Sequence, residues 1–178
     1  MIEQIETERL RIRDVHASDG DAFYRYMKHE DYWRNLPMQP PTLQSVHLLV
    51  ERCLREQAGN PRTNYFLAAV SKETGEVVGE AILRIVSLLH GQAEIGWGVD
   101  GQYTSLGLGT EIGRAMLSFG FGLDLHRLYA QCRVENTPSL RIMAKLAMTE
   151  EGILRENVKA RGQWWSSSQR SILRTEHE

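Results

Sequence analysis

Two closely spaced glycines, Gly107 and Gly109, carry the clearest chemical signal in the chain, because they stand between a strand-like and a helix-like segment. Glycine leaves the backbone without a side chain to shield it, and the first N–H groups of a helix have no partner inside that helix. We therefore expect the backbone from Leu106 to Thr110 to present several unpaired N–H groups at the positive end of a helix. A turn of this kind is suited to bind an anion, typically a phosphate or a pyrophosphate.

The spacing of the glycines narrows the kind of phosphate site. Ile112 stands three residues after Gly109, so the chain departs from the G-x-G-x-x-G of dinucleotide folds, and no lysine follows the glycines as in a P-loop. Both classes of nucleotide-binding protein are therefore disfavoured. The alternative role is structural, since the glycines could merely let a helix pack closely on a strand, and the pair alone favours neither role.

A strand before this loop and a helix after it must hold it in place. Residues 93–99 alternate and are rich in residues typical of strands. After the loop, apolar residues recur at helical spacing, at Leu108, Ile112, Ala115, Met116 and Phe119. The loop thus joins a predicted strand to a predicted amphipathic helix.

The segments upstream predict one strand, two helices and an antiparallel meander. Residues 10–15 alternate as a strand does, and the first helix places Phe23, Tyr26 and Met27 on one face. An ordered loop is predicted over residues 32–41, before a second helix capped by Thr42. The apolar stripe of that helix is assigned to the core, and it consists of Leu43, Val46, Val50, Cys53 and Leu54. Strands over 65–70 and 77–89, and the strand that holds Glu94, are joined by short turns.

The segments after the loop helix predict that the sheet is mixed. A strand over 127–134 follows the loop helix, and a strand–helix–strand unit of this length normally makes a parallel crossover. A helix from Asn136 and strands over 152–159 and 163–174 complete the order. We therefore expect an α/β (α+β) fold with a mixed, largely antiparallel central sheet and helices on both faces.

Composition and charge exclude several functions. With 178 residues the chain is expected to form one domain, 1–178, and its formal net charge of −2 provides no basic field for nucleic acid. Two isolated cysteines and six scattered histidines show neither a disulfide framework nor metal-ligand spacing, so no metal is expected. The first residues do not resemble a signal peptide, and no window is long and apolar enough for a membrane span. A cytoplasmic protein without a membrane partner is expected.

Four segments, in this order and spacing, resemble the GCN5-related N-acetyltransferase (GNAT) superfamily over nearly the whole chain. Residues 6–13 (ETERLRIR) resemble the start of its RimJ/RimL-like ribosomal-protein N-terminal acetyltransferase branch. Residues 93–97 resemble the family's fourth strand, residues 106–111 its acyl-CoA loop, and residues 136–146 the helix that follows. The chain departs from the family at Thr104, where the loop usually has Gln or Arg, and at Met143, where many members have a Tyr that acts as general acid.

The resemblance implies acetyl-CoA as cosubstrate and a primary amine as acceptor. Its parallel strands should splay to admit the pantetheine arm, which would pair with backbone around Trp97, Gly98 and Val99. The pyrophosphate would lie on the N–H groups of the loop, at Leu106, Gly107, Leu108, Gly109 and Thr110. Asn136 matches a position that contacts the cofactor, although a plain helix N-cap is an equally good interpretation.

The chemistry of amine attack selects the catalytic candidates. An amine must be neutral to attack a thioester, and Glu94, in an apolar strand beside the expected crevice, is the candidate general base. If Glu94 instead faces solvent on the other side of the strand, the base must be sought in another carboxylate, such as Glu80, or in a water held by backbone carbonyls. Ser139 matches a serine of the N-terminal acetyltransferase branch and could donate a hydrogen bond to the leaving sulfur, or it could simply cap the helix. The candidate walls of the acceptor site are Tyr32, Trp33 and the pair Trp164 and Trp165, with burial in the core as the alternative for each tryptophan.

Three activities are consistent with the sequence. The leading one is transfer of acetyl to a protein N-terminus, an amino acid or a small amine in a ternary complex. An antibiotic or polyamine acetyltransferase is the enzymatic rival, and a non-catalytic CoA-binding sensor module is the other. The sequence is compatible with a homodimer.

Overall fold

An eight-stranded mixed sheet forms the centre of the molecule in a computed structural model that describes residues 2–177. Its strands are β1 Ile5–Glu6, β2 Leu10–Asp14, β3 Asn64–Ser71, β4 Val77–Ser87, β5 Gln92–Val99, β6 Arg127–Arg133, β7 Thr149–Ala160 and β8 Gln163–Leu173. They lie in the order β1-β2-β3-β4-β5-β6-β8-β7, and the pairing is antiparallel except between β5 and β6. The predicted meander of β3, β4 and β5 and the predicted parallel crossover to β6 are both confirmed.

Helices cover both faces of the sheet, as expected. They are α1 Gly20–Met27, α2 Glu30–Trp33, α3 Leu43–Gln57, α4 Leu108–Gly122 and α5 Thr137–Lys145. Ile112 and Met116 of α4 and Met143 of α5 are buried in one apolar cluster, and this side of the sheet is called the α4 face. Phe23 of α1 and Val46 of α3 are buried in a second cluster on the opposite side, the α1 face.

Two local expectations in the first helical region need correction. Thr42 does cap α3, since its hydroxyl accepts a hydrogen bond from the Ser45 N–H at 3.1 Å, but the buried stripe of α3 is narrower than expected. Val46, Val50 and Cys53 are buried, whereas Leu43 and Leu54 remain 44% and 37% exposed because the stripe that packs comprises only the i, i+4 and i+7 positions. The predicted loop over 32–41 begins later than expected, because residues 32 and 33 end the one-turn helix α2.

The parallel strands β5 and β6 are paired at only three positions and then separate. The last pair joins Glu94 to Tyr129, and we call this point the fork. Beyond the fork β5 continues to Val99 and β6 to Arg133, and within residues 2–177 these segments do not pair with each other. The space between residues 95–99 and 130–133 is called the cleft.

No helix among residues 2–177 is both long and apolar enough to cross a bilayer.

The glycines at the edge of this region provide a test of the fold. A Cβ added at Gly79 of β4 would overlap the Gly98 carbonyl oxygen on β5, and backbone cannot rotate away as a side chain can. We expect Gly79→Ala to lower the free energy of unfolding by about 1–3 kcal/mol, as overpacking usually does. Urea unfolding followed by circular dichroism measures this.

The matched control is Gly96→Ala on β5. Its Cβ would meet only Ile82, at 3.6 Å from Cβ and 3.7 Å from Cδ1, which are ordinary contacts. We expect a change within about 0.5 kcal/mol. Equal losses of stability in the two variants would contradict the close β4–β5 approach described here.

Candidate active site

The loop before α4 has the backbone geometry that an anion site requires. Gly107 is the N-cap residue and has a φ of 84°, a left-handed conformation that side-chain-bearing residues rarely adopt. In the described part of the chain, the N–H groups from Leu106 to Gly109 form no hydrogen bond, whereas the Thr110 N–H already bonds to the Gly107 carbonyl at 3.1 Å. The unpaired donors therefore run from Leu106 to Gly109 and stop one residue earlier than expected.

Gly109, the second glycine of the loop, is required for close packing and not for its backbone conformation. Gly109 is buried, and a Cβ on it would lie 2.7 Å from Cδ1 of Ile142 on α5. The packing role that the sequence left open thus applies to Gly109, and the conformational role applies to Gly107.

A latch from the start of the chain holds this loop. The Arg9 guanidinium donates to the Leu106 carbonyl at 2.7 Å and pairs with the Glu111 carboxylate at 2.7 Å. The Thr7 hydroxyl donates to the same carboxylate at 2.6 Å. Burial acts to raise the pKa of Glu111, but the hydrogen bonds from Thr7 and Arg9 outweigh it and lower the pKa. The residues of the latch are about a hundred positions apart in sequence, so periodicity could not have found them.

The segment predicted to bind pantetheine lines one wall of the cleft. The side chains of Trp97 and Val99 are partly buried against the core of the α4 face. Gly98 lies between them, and a side chain at this position would point to the α1 face. The backbone of this segment pairs with β4 on one side only. Its other edge lies on the cleft.

The start of α5 forms the helix cap that the sequence allowed. The Asn136 side-chain oxygen accepts a hydrogen bond from the Ser139 N–H at 3.2 Å. Ser139 is half-buried in the first turn of α5. Capping by Asn136 is therefore observed, while the contacts of Asn136 with a cofactor and of Ser139 with sulfur stay predictions.

Glu94, the candidate base, lies at the fork on the α1 face. Its carboxylate forms an ion pair with Arg84 on β4, and its side chain is 27% exposed. The residue is therefore near the cleft but is held by a cation at the surface. Its role as general base stays a prediction.

A second carboxylate, Glu80, lies on the same face and is only 2% exposed. The Tyr26 hydroxyl donates a hydrogen bond to Oε2 and the Tyr32 hydroxyl donates to Oε1 at 2.7 Å. Glu80 stands opposite Gly98 in the β4–β5 register, and a Cβ on Gly98 would overlap Oε1. The carboxylate therefore lies directly over the segment predicted to bind pantetheine.

Burial dominates the electrostatics of this group. It raises the pKa of Glu80, and the hydrogen bonds from the two tyrosines counter the rise only in part. Burial and the neighbouring Glu80 also raise the pKa of Tyr26 and Tyr32 well above the usual tyrosine value, so both hydroxyls stay protonated and donate. A single charge in the apolar run of residues 77–83 was the only signal for this site in the sequence.

The expected acceptor walls are brought together in part. Tyr32 touches Glu80, and Trp33 beside it stacks with Arg161 at 5.3 Å. Arg161 also stacks on Trp165, at 4.6 Å, which ties the β7–β8 turn to α2. Trp165 is buried on this side of the sheet.

Trp164 does not belong to this group. Its side chain is 57% exposed, and Lys159 lies over its ring at 5.6 Å. Neighbouring residues of a strand point to opposite faces, so Trp164 points away from the face that Trp165 occupies. The structure thus separates the predicted pair, with Trp165 buried and Trp164 exposed.

Comparison with known proteins identifies the family. The family model of the acetyltransferase (GNAT) domain matches residues 9–149. The chain belongs to the GNAT acetyltransferases. Among the described residues, no group of three or more His, Cys, Asp and Glu side chains is placed to hold a metal ion.

Relatives of this GNAT chain match it over nearly its full length. It is 28% identical over 177 residues to the uncharacterized N-acetyltransferase p20 of Bacillus licheniformis, with 99% of each chain covered. The crystal structure of a GNAT-family acetyltransferase from Bacillus anthracis has a TM-score of 0.86 and 28% identity, and covers 98% of this chain and 100% of its own. The GNAT resemblance and the enzyme class are thus confirmed.

The RimJ/RimL likeness holds at the level of the fold. RimJ of Mycobacterium smegmatis, solved in complex with a CoA disulfide, has a TM-score of 0.83 at 22% identity, with 98% of this chain and 91% of that chain covered. The family uses acetyl-CoA, and the unpaired loop donors of this chain fit a phosphate group.

Burial of Glu80 gives a testable effect of pH on stability. Its pKa is higher in the folded chain than the ordinary value of 4.5, so the neutral form favours folding and this contribution is lost as pH rises from 4.5 through the raised pKa. We expect the melting temperature of Glu80→Gln, relative to the parent protein, to increase as the pH rises from 4.5 toward 8. Differential scanning calorimetry across this range measures it.

Glu73→Gln is the matched control, because Glu73 is an exposed carboxylate in the β3–β4 turn. Its melting temperature should stay parallel to that of the parent at every pH. Charged neighbours of the tyrosines, Arg25 and Asp100, are common to all three proteins and cancel in the comparison. A flat difference for Glu80→Gln would show that the carboxylate is not buried as described.

Proposed function

We propose that this GNAT protein transfers the acetyl group of acetyl-CoA directly to a primary amine while both substrates are bound. The observation that carries the proposal is the cleft. The unpaired N–H groups at the start of α4 lie beside its open end, and the two carboxylates Glu80 and Glu94 lie next to it on the α1 face of the sheet. The N–H groups suit a phosphate, and the carboxylates suit a cation.

The chain's own backbone supplies the cosubstrate contacts. The N–H groups from Leu106 to Gly109, at the positive end of the α4 dipole, hold the pyrophosphate. The free edge of β5 at Trp97, Gly98 and Val99 pairs with the pantetheine arm as a neighbouring strand would. Thr110 and Asn136 lie beside this path, at the first turn of α4 and at the cap of α5.

The reaction needs one proton removed before attack and one delivered after it. A carboxylate on the α1 face takes a proton from the ammonium, and the neutral nitrogen attacks the thioester carbonyl carbon. A C–N bond forms and the C–S bond breaks. The sulfur leaves with the electron pair, accepts a hydrogen bond from Ser139, and takes the second proton from nitrogen to give the thiol. Met143 is 1% exposed within the core, so the tyrosine acid of many family members has no counterpart at this position.

The test of the function is a thiol-release assay with acetyl-CoA over N-terminal peptides, amino acids, polyamines and aminoglycosides. We expect CoA release with a primary amine, and intersecting double-reciprocal lines because both substrates must be bound together. Parallel lines would indicate an acetyl-enzyme intermediate and contradict direct transfer. A rise in melting temperature with acetyl-CoA, without CoA release from any amine, would show a CoA-binding module instead of an enzyme.

The latch predicts a specific loss of cosubstrate affinity. Arg9→Ala removes the hydrogen bond that holds the Leu106 carbonyl, so the loop must then be ordered when CoA binds. A hydrogen bond of this kind contributes about 1 kcal/mol, so the Kd for CoA should rise about fivefold. Pantetheine lacks the phosphates, and its affinity should not change. Isothermal titration calorimetry measures both.

Arg11→Ala is the control for the loss of charge. Arg11 lies two residues further along on β2, and its side chain is exposed and pairs only loosely with Glu6, at 3.5 Å. Its Kd for CoA should equal that of the parent. Equal weakening by both substitutions would mean that net charge, and not the latch, governs CoA binding.

A further inference from the structure

We propose that Glu80, Tyr26 and Tyr32 form the subsite that binds the ammonium group of the acceptor and that Glu80 takes its proton. The inference rests on the proposed function, because it names where the amine of that reaction binds. It selects Glu80, and not Glu94, as the carboxylate that touches the amine.

The charge of Glu80 is uncompensated within the protein. Among residues 2–177, the partners of its carboxylate are two tyrosine hydroxyls, and no Lys, Arg or His forms an ion pair with it. The nearby Arg25 is engaged elsewhere, since it donates to the Val77 carbonyl at 2.9 Å and lies 3.7 Å from Asp100. Buried carboxylates are normally paired with a cation because an isolated buried charge is costly. An ammonium group on the substrate would supply the missing charge.

Glu94, the second carboxylate considered on the α1 face, does not have an uncompensated charge. Glu94 already has a cation, Arg84, and its side chain is more exposed. The charge of Glu94 is therefore already compensated, and an ammonium group would gain less by binding there. Within the described chain, the charge of Glu80 has no such partner.

The surroundings of Glu80 fit a primary ammonium group. A carboxylate has about four acceptor sites, and the two tyrosines use two of them, so two are left for the N–H donors of an ammonium group. The rings of Tyr26 and Tyr32 meet edge to face with centroids 5.5 Å apart, and this packing holds their hydroxyls on the two carboxylate oxygens. Tyr32 is half-buried, so the subsite lies just below the surface of α2.

The position of Glu80 places the amine beside the acetyl donor. Gly98, opposite Glu80, belongs to the segment proposed to hold the pantetheine arm, and neither Gly96 nor Gly98 has a side chain on this face. By contrast, Glu94 is four residues away along β5, which is about 13 Å between Cα atoms. Burial raises the pKa of Glu80, which suits a group that must accept a proton near neutral pH. In the proposed step the ammonium gives one proton to a Glu80 oxygen, and Glu80 later returns it to water.

The first experiment measures binding without transfer. With CoA present in place of acetyl-CoA, calorimetric titrations compare butylammonium chloride with 1-butanol, which has the same chain and no charge. We expect the parent protein and the Glu73→Gln and Glu94→Gln variants to prefer butylammonium at least tenfold, and Glu80→Gln to lose the preference. Equal binding of the two probes by the parent, or an unchanged preference in Glu80→Gln, would overturn the inference.

The second experiment measures turnover with the amine that releases CoA fastest. Glu80→Gln should lower kcat/KM by about 10²–10⁴-fold, as loss of a general base does, with recovery as the pH approaches the pKa of the amine. Glu80→Asp should restore part of the activity. Tyr32→Phe removes a hydrogen bond to the carboxylate, so it should shift the rising limb of the pH profile to higher pH. A Glu80→Gln enzyme with parent activity at every pH would refute the proposed role.

Two measurements distinguish a failure of the Glu80 inference from a failure of the proposed function. An unchanged melting-temperature rise with CoA shows that Glu80→Gln is folded and binds the cosubstrate. If no amine releases CoA with the parent, the proposed function fails, and the butylammonium titration still decides whether Glu80 binds an ammonium group.

Discussion

The separation of β5 and β6 beyond the Glu94–Tyr129 pair is the constraint on which the rest of the site depends. Parallel strands that part give up the hydrogen bonds between them, and buried backbone groups without partners are unfavourable. Each strand keeps its other neighbour, since β5 pairs with β4 as far as Val99 and β6 pairs with β8 as far as Arg133. The sheet therefore remains intact on both sides of the cleft, and the free edge of β5 is available to an extended substrate.

Helix α4 fixes the geometry of that opening because it connects the end of β5 to the start of β6. Three of its glycines let it approach its neighbours closely, since added Cβ atoms would lie 2.7 Å from Ile142 at Gly109, 2.6 Å from Leu146 at Gly113 and 2.8 Å from Leu128 at Gly120. A closely packed helix cannot shift without strain. Its N-terminus is therefore held in place by packing along its length and by the Arg9 latch at its start.

Local patterns in the sequence predicted the parts of the site that are built locally. The strand–loop–helix around Gly107, the cap at Thr42 and the parallel return at β6 all follow from periodicity, glycine conformation and crossover rules. What the patterns missed depends on contacts between distant segments. The bond from Arg9 to Leu106 and the bonds from Tyr26 and Tyr32 to Glu80 join residues about fifty to a hundred positions apart. Alternation placed Glu94 on a face but could not show that Arg84 lies opposite it.

Gly98 links the two halves of the proposed chemistry. On one side its backbone lies at the edge of the cleft where the pantetheine arm is proposed to pair, and on the other its bare Cα leaves room for Oε1 of Glu80. Any side chain at this position would push the carboxylate away from the strand. The Glu80 carboxylate and the backbone segment proposed to pair with pantetheine thus meet at a single residue. A buried, uncompensated carboxylate lowers stability, and proteins commonly retain such groups where activity needs them. The absence of a side chain at Gly98 is therefore as much a part of this site as the carboxylate it accommodates.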